Sequence, residues 1–381
     1  MSITSVPDRI RFLLWGKGAG RCQYEGCNRR LWIDDVTQAE SNSAYIAHIV
    51  ADSPNGPRGD PVLSETLKAD FSNLMLMCDV HHRLIDKEDV EGHPVDRLRA
   101  MKKLHEKRID TLAEIAPEKQ SYVVLYGANI GAHGAPLSFR EASLGMTPDR
   151  YPASQQSIQI SLGNSSFEDS TAEYWSYEAQ QIRNVISQQL KPRIKSGDIT
   201  HISIFALAPQ PLLMLLGSEL SDIPFAETYQ RRREPQSWSW EDDPKTYVYE
   251  LISPSIPKPG DAALVFALSA QITDERVAQV LGNDIPIWRI TISNPNNDFV
   301  RSRPQTEAFR TKMREVLDRI KIAQGEHAVI HVFPAMPVSL AVDFGRIINS
   351  KADLPVVVYD QNRKLGGFAK ALEINASVEK S

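Results

Sequence analysis

Two textures of apolar and polar residues divide the chain. From about residue 120 onward, short runs rich in β-branched and aromatic residues recur: SYVVLY (121–126), THISIFAL (200–207), TYVYELI (246–252), AALVFAL (262–268), IPIWRITI (285–292), HAVIHVF (327–333) and LPVVVYD (354–360). Stretches with helical spacing lie between several of them, at 172–190, 305–323 and 338–349. Short apolar runs alternating with helical segments predict α/β units with largely parallel strands. Before them, PVDRLRAMKKLHEKRIDTLAEI (94–115) predicts a helix that closes an N-terminal region, and APEKQS (116–121) reads as a linker. The division expected is a domain over 1–118 and another over 119–381.

The second region contains an internal echo. ISIFALAPQPLLMLLG (202–217) and IHVFPAMPVSLAVDFG (330–345) match at a constant offset, with Phe205, Pro209, Leu212 and Gly217 recurring as Phe333, Pro337, Leu340 and Gly345. Each copy reads as a strand, a proline-containing turn and a helix. In open α/β sheets, ligands sit at the turn after the carboxyl end of a strand. The echo predicts two Rossmann-like halves facing a shared crevice; the alternative is two unrelated strand–helix units with the same packing needs.

Composition narrows the function classes. The formal net charge is −5, so no whole-chain basic footprint exists and any nucleic-acid contact must be local. With 42 % hydrophobic residues, 381 residues suffice for the cores of two to three domains. Three cysteines, all before residue 80, argue against a disulfide framework. The opening MSITSVPDRIRFLLWGKGAG is interrupted by Asp8, Arg9 and Arg11, its apolar run is too short for a signal peptide, and no stretch approaches a membrane span. A soluble, cytoplasmic protein with no membrane partner is expected. GKGAG (16–20) lacks the Lys-Ser/Thr of a phosphate loop and reads as a turn.

The thiols carry the first chemistry. Cys22 and Cys27 are separated by four residues, and Cys78 and His81 by two. Four N/S ligands in two short knuckles have the spacing of a closed, tetrahedral, structural zinc site; the alternative is three buried free thiols. In MCDVHHRLID (77–86), His82 and Asp86 stand at i and i+4 and share a helix face, while His81 is turned about 100° away. His81 is thus free for the zinc, and His82 with Asp86 for a second, catalytic cation.

Over roughly residues 20–90 these residues resemble an HNH nuclease of the ββα-metal fold. His48, Asn73 and His82 take the places of the motif, and HRLID is similar to the His-x3-Asp ending of one HNH subgroup. The resemblance implies that His48 is the general base, that Asn73 orients the loop bearing it, and that His82 and Asp86 bind Mg²⁺ or Mn²⁺ at the scissile phosphate. Many HNH sites carry Asp or His just before the base; here that position is Ala47, a loss the subgroup shares. Neutral imidazole suits proton abstraction near pH 7, and a cation suits the charge of phosphodiester hydrolysis. Helix 94–115, with Arg97, Arg99, Lys102, Lys103, Lys107 and Arg108, offers a phosphate-contacting face or simply a solvated one.

Over roughly 120–381 the repeat, with FALAPQPLLMLLG and HVFPAMPVSLAVDFGR, looks like a SAVED domain, a fusion of two CARF-like halves. HNH joined to SAVED resembles the effectors of CBASS antiphage systems. That implies a double-stranded DNA endonuclease gated by a cyclic di- or trinucleotide and acting in abortive infection. It also implies a homo-oligomer, dimeric at rest and a higher oligomer such as a tetramer when activated. Candidate phosphate partners are Arg231, Arg232, Arg233, Arg363 and Lys364; candidate stacking groups are Trp238, Trp240 and Tyr359. Backbone at Pro209–Gln210 and Met336–Pro337 lines the two turns. RRREPQSWSWEDDP (231–244) reads as a long functional loop. Two other readings stand beside this one: a restriction-type HNH nuclease whose C-terminal domain reads modified DNA, and a non-catalytic zinc DNA-binding regulator with a ligand sensor.

Overall fold

The structure is a computed structural model that describes residues 5–130, 134–135, 137–162, 169–243, 245–255, 258–362 and 366–375. It separates into two compact units, dividing between Ala116 and Pro117. Among the described residues, no helix is long and apolar enough to cross a membrane.

In the first unit, helix α1 (Asp8–Lys17) begins after Pro7, with an acid in its first turn and a lysine in its last, in line with the helix dipole. It stops at Gly18, and Gly20 has φ +58°, where a Cβ would lie 2.7 Å from the Trp32 ring. Strand β1 (Tyr45–His48) pairs antiparallel with β2 (Leu74–Met77), His48 facing Leu74. Between them lie α2 (Leu63–Leu67) and a 3₁₀ turn, Phe71–Asn73, whose start is capped by Asp70 accepting from Ser72 N. Short α3 (Asp79–Arg83) runs directly into a π-helical turn, Leu84–Glu88; α4 (Val95–Ala113) follows. All four residues of β2 are buried, together with Leu14, Leu31, Ile49, Ile85, Leu98 and Met101. Two β-strands and the α3 turn therefore form a small frame around that core.

The second unit holds two sheets. The first has the order β4–β3–β6–β7, with β5 beside β3, and all its pairings are parallel: β3 (Gln120–Gly127), β4 (Tyr151–Pro152), β5 (Ile158–Leu162), β6 (Ile202–Leu207) and β7 (Ala226–Thr228). The second has the order β13–β12–β11–β9–β10–β8. Its four central strands, β9 (Ala262–Ala267), β10 (Ile287–Thr291), β11 (Ile330–Ala335) and β12 (Val356–Asn362), run parallel. Its edges β8 (Glu250–Ile252) and β13 (Gly367–Ile374) run antiparallel, so the sheet is largely parallel, as expected, with antiparallel strands at its margins. The helices are α5 (Phe139–Met146), α6 (Ala172–Val185), which continues through a π turn into α7 (Lys191–Lys195), α8 (Gln210–Glu219), α9 (Asp274–Leu281), α10 (Arg303–Gln324) and α11 (Val338–Ile347). At the start of α10, Gln305 Oε1 reaches back to accept from Ser302 N, the N-cap residue, at 3.2 Å.

The repeated segments meet at the centre of this unit. One apolar cluster spans both sheets and includes Ile204, Leu212 and Leu213 from the first copy with Val332, Leu340 and Phe344 from the second. Helix α8, which follows β6, packs on β12 and β13; α11, which follows β11, packs on β6 and β7. The repeated glycines explain how the helices approach so closely. A Cβ on Gly217 would lie 2.0 Å from Val342 O, and one on Gly345 would lie 1.9 Å from Met214 O. Met214 and Val342 are themselves repeat equivalents, so the crossing is a local pseudo-twofold.

Candidate functional site

Two clusters lie in the first unit. Cys22 and Cys27 sit on a knuckle whose turn uses Gly26 at φ +78° and Asn28 at φ +54°; Cys22 N donates to Arg29 O and Cys27 N to Tyr24 O. Cys78 is the N-cap of α3 and His81 stands on that helix. The four ligand atoms all lie within 4.8 Å of one another, with His81 Nδ1 3.2 Å from Cys78 Sγ and 3.7 Å from Cys22 Sγ. The Tyr24 ring stacks flat on His81 at 4.1 Å, and its hydroxyl meets His93 Nε2 at 3.0 Å. Burial, followed by Arg29, holds the His81 pKa below its usual value, which favours the neutral ligand form. Three sulfurs and one imidazole nitrogen at this separation fit a tetrahedral zinc ion.

The second cluster is built at the end of β1. His48 Nε2 lies 2.9 Å from Lys68 O. A carbonyl can only accept, so Nε2 carries the hydrogen, and in the neutral ring the lone pair is then on Nδ1. Asn73 lies at the end of the 3₁₀ turn, just ahead of β2 and not within a strand. It is pinned at both ends of its amide: Oδ1 accepts from Val50 N at 2.8 Å, and Nδ2 donates to Val50 O at 2.8 Å and Leu67 O at 3.2 Å. It therefore clamps the chain directly after His48.

His82 Nε2 and Asp86 Oδ2 are 3.3 Å apart, Asp86 reaching back from the π turn that follows α3. Such turns are frequent at functional sites. Tyr45 stacks on the His82 ring at 5.0 Å. Burial lowers the His82 pKa, partly offset by Asp86, so the ring is neutral and able to ligate. Nitrogen and carboxylate oxygen at that spacing can share one octahedral cation. Ala47 is buried in the core. One residue here had no signal in the motif spacing: Arg58, whose guanidinium bonds Asp86 Oδ1 at 2.6 Å and three backbone carbonyls.

The basic face expected on α4 is largely taken up by the fold. Lys102 is buried, bonds Glu106 at 2.6 Å and lies over the Phe71 ring; Arg97 pairs with Glu25, and Arg108 donates to Asn28.

In the second unit, α8 and α11 start at the carboxyl ends of β6 and β11, with Pro209 and Pro337 at matching N-cap positions. The Gln210 amide joins the two turns, donating to Met336 O at 3.1 Å and accepting from Met336 N at 3.3 Å. Gln230, beyond β7, accepts from Ser339 N and Oγ, which holds the start of α11. Past the end of β3, Tyr174 donates to Asn129 O, and Tyr126 to the buried Glu178. Burial, then the carboxylates of Glu178, Asp169 and Asp360, push the Tyr174 hydroxyl well above its usual range. Burial, then Asp169, lift Asp360 to about 7. The repeat gave no hint of this acidic group, because it lies outside the echoed segments.

Several expected ligand contacts are instead core members. Trp238 is 2 % exposed, edge-on to Phe205 and covered by Arg231. Tyr359 is buried flat on Phe333 at 4.6 Å and bonds His331 Nδ1. Arg232 is buried and paired with Glu241, Arg231 with Glu141, and half-buried Trp240 packs near Tyr229. Strand residues that point inward are covered, and within 231–243 Trp238 packs against Val123, Leu125 and Phe205 of the first sheet. Arg233 N bonds Asp298. Arg363 and Lys364 lie outside the described residues.

A family model described as "SMODS-associated and fused to various effectors sensor domain" (SAVED) matches residues 182–374, just over half of the chain. No curated protein matches the chain. Among solved structures, the chain is similar to the Acinetobacter baumannii Cap4 SAVED/CARF-domain receptor with the cyclic trinucleotide 2'3'3'-cAAA, at 13 % identity over 83 % of this chain and 67 % of that one, with a TM-score of 0.47. The same receptor with 3'3'3'-cAAA matches at 12 % identity over 84 % and 68 %, with a TM-score of 0.47. The Moraxella osloensis Cap4 receptor matches at 12 % identity over 73 % and 58 %, with a TM-score of 0.39.

Proposed function

The chain belongs to the SAVED family of sensor domains fused to effectors, and from that premise we propose that it is a CBASS-type effector: a cyclic-oligonucleotide-activated, metal-dependent endonuclease that cuts double-stranded DNA. The observation that supports the nuclease reading best is the arrangement around β1. His48 presents Nδ1, Asn73 fixes the chain behind it, and the His82–Asp86 pair stands in the same small frame.

In this reading Nδ1 of His48 takes the proton of the attacking water, and Lys68 O keeps the tautomer that makes this possible. His82 and Asp86 hold Mg²⁺ or Mn²⁺. Bound there, a divalent cation supplies positive charge to the phosphate and the departing 3′-oxygen. Cys22, Cys27, Cys78 and His81 hold zinc, a structural tie with no ligand position left for water.

The sensor reading draws on the crevice at the two repeated turns. The amino ends of α8 and α11 suit phosphates. The phosphates of a cyclic di- or trinucleotide are the groups that these two helix starts would take. A lone site of this kind cuts one strand, so double-strand cleavage calls for at least two copies on the duplex, and ligand-driven assembly from a dimer to a higher oligomer supplies them.

Plasmid is incubated with Mg²⁺ and a panel of cyclic di- and trinucleotides, with mass followed by light scattering at the same concentration. Cleavage and mass should rise together with one class of nucleotide and with no other. Cleavage that is independent of every nucleotide would remove the gating. A protein that binds a nucleotide yet never cuts would remove the nuclease.

A further inference from the structure

Between β1 and α2 the Pro-, Gly- and Asp-rich chain makes a tight fold. A Cβ on Gly59 would lie 2.3 Å from Pro54 O, and one on Gly56 would lie 2.7 Å from Ala51 Cβ. Arg58 between them sits at φ +59°, a conformation that residues with a side chain adopt only when the surroundings enforce it. This strained turn delivers a guanidinium into the interior, where the side chain is 5 % exposed.

The contacts of that guanidinium join two segments. Nε donates to Ile49 O at 2.8 Å and Nη2 to His48 O at 3.2 Å, both at the end of β1. Nη1 donates to Ile85 O at 2.5 Å and Nη2 to Asp86 Oδ1 at 2.6 Å, both on the π turn. Strand end and π turn carry, respectively, His48 and the His82–Asp86 pair. We propose that Arg58 is a positioning residue for the divalent cation: it holds Asp86 by Oδ1, keeps Oδ2 turned to His82 Nε2, and fixes that pair against the strand end bearing His48. This rests on the reading of His82 and Asp86 as the cation ligands.

Two effects oppose each other here. A buried positive charge beside a cation site repels the cation. Against this, the fork fixes a carboxylate that otherwise rotates freely, and ordered outer partners of metal ligands raise affinity. The guanidinium charge is spread over three nitrogens and met by three carbonyls and one carboxylate oxygen, so its repulsion toward the cleft is weak and positioning prevails. Lysine at this place keeps the charge but has no planar fork to reach four acceptors on two segments. Arg58→Lys therefore separates geometry from charge.

The test uses the full chain with its zinc. Mn²⁺ binding is followed directly by the loss of the free-ion electron paramagnetic resonance signal, and melting is recorded for each protein. Arg58→Lys should weaken Mn²⁺ binding roughly tenfold, and plasmid cleavage at sub-saturating Mn²⁺ should fall with it. Equal or tighter binding in a folded Arg58→Lys protein overturns the proposal. Should the variant fail to fold, the unaltered protein still decides: the Arg58 Nε–H resonance should shift on titration with Mg²⁺ together with the His82 ring, and an unmoved Arg58 beside a shifting His82 overturns the proposal. Absence of any Mn²⁺ or Mg²⁺ effect in the unaltered protein overturns the cation reading of His82 and Asp86, and this one with it.

Discussion

Residues 5–116 and 117–375 secure their interiors by different means. The first unit has a two-stranded sheet, a modest apolar core and many side chains that tie loops together: the Cys22–Cys27–Cys78–His81 cluster, Asn73 on Val50, and Arg58 on three carbonyls. Among its described residues the second has eleven strands in two sheets and one apolar cluster running through both halves. Chemistry is concentrated where hydrophobic area is scarce. A small domain that cannot bury enough surface leans on ligands and buried polar bonds, and those same groups give it reactive side chains at fixed positions. The larger unit is stable by area, and its two repeated turns are joined through backbone groups that many side chains could frame.

The sharpest way to break this contrast is to remove the tie. Elemental analysis should find about one zinc per chain. Cys22→Ser, or chelation, should melt residues 5–116 as a unit, because the loss is comparable with the roughly 5–15 kcal/mol that holds a whole domain. Hydrogen exchange should then report an intact second unit. A zinc-free protein with a protected N-terminal core would show that the first unit is held by area after all.

His48→Ala probes chemistry without touching the tie. Removal of a general base should lower activated cleavage by about 10²–10⁴-fold, with zinc content, melting and cyclic-nucleotide binding retained. Cleavage within a few-fold of the unaltered protein would pass the role of base to another group.

The same contrast governs what could be read from the chain. In the first unit the side chains that the structure brings together were legible because they are rare residue types at fixed spacing: three cysteines, and two adjacent histidines with an aspartate at i+4. Arg58 was not legible, since an arginine in a Pro-Gly loop looks solvated until the turn is seen to fold inward. In the second unit the echo pointed to the turns at Pro209 and Pro337, which the structure brings together through Gln210 and Met336. Its glycines were legible as repeats but not as a helix crossing. Trp238 and Tyr359 were read as stacking surfaces because an aromatic at a strand end or in a loop has the same letter whether its faces are open or covered. The strands β4, β5, β7 and β13 escaped notice because they are short or at edges, where the apolar pattern is weak.

Helix crossing offers a test confined to the second unit. Gly217→Ala and Gly345→Ala each force a methyl against a carbonyl across the pseudo-twofold, and each should cost about 1–3 kcal/mol. The loss should lower the melting of the second unit and leave that of the first unchanged. Strongly unequal costs at the two glycines would mean that the halves do not share the load equally.

The smallest expected effect separates the units by acid. His201 lies against Ser121 Oγ at 2.8 Å, and burial, followed by Arg150 and Lys119, brings its pKa down to about 4. The unfolded chain protonates this ring near pH ~6.5. Above that pH both states are neutral and the contribution is complete. As pH falls from about 6.5 to about 4, the unfolded state takes up a proton that the folded state refuses, so stability drops. The ring is only partly buried, and with solvent screening the loss is on the order of 1 kcal/mol. In the first unit, acid should also protonate the thiolates and His81 of the ligand cluster, giving a steep loss that coincides with zinc release. Melting followed separately in the two units between pH 7 and pH 4 should therefore show a shallow slope for the second and a steep one for the first, and His201→Gln should flatten the shallow slope alone. An unchanged slope in a folded His201→Gln protein would move the titration to His331, whose pKa burial also lowers and which lies between Tyr359 and Asp261 in the second sheet.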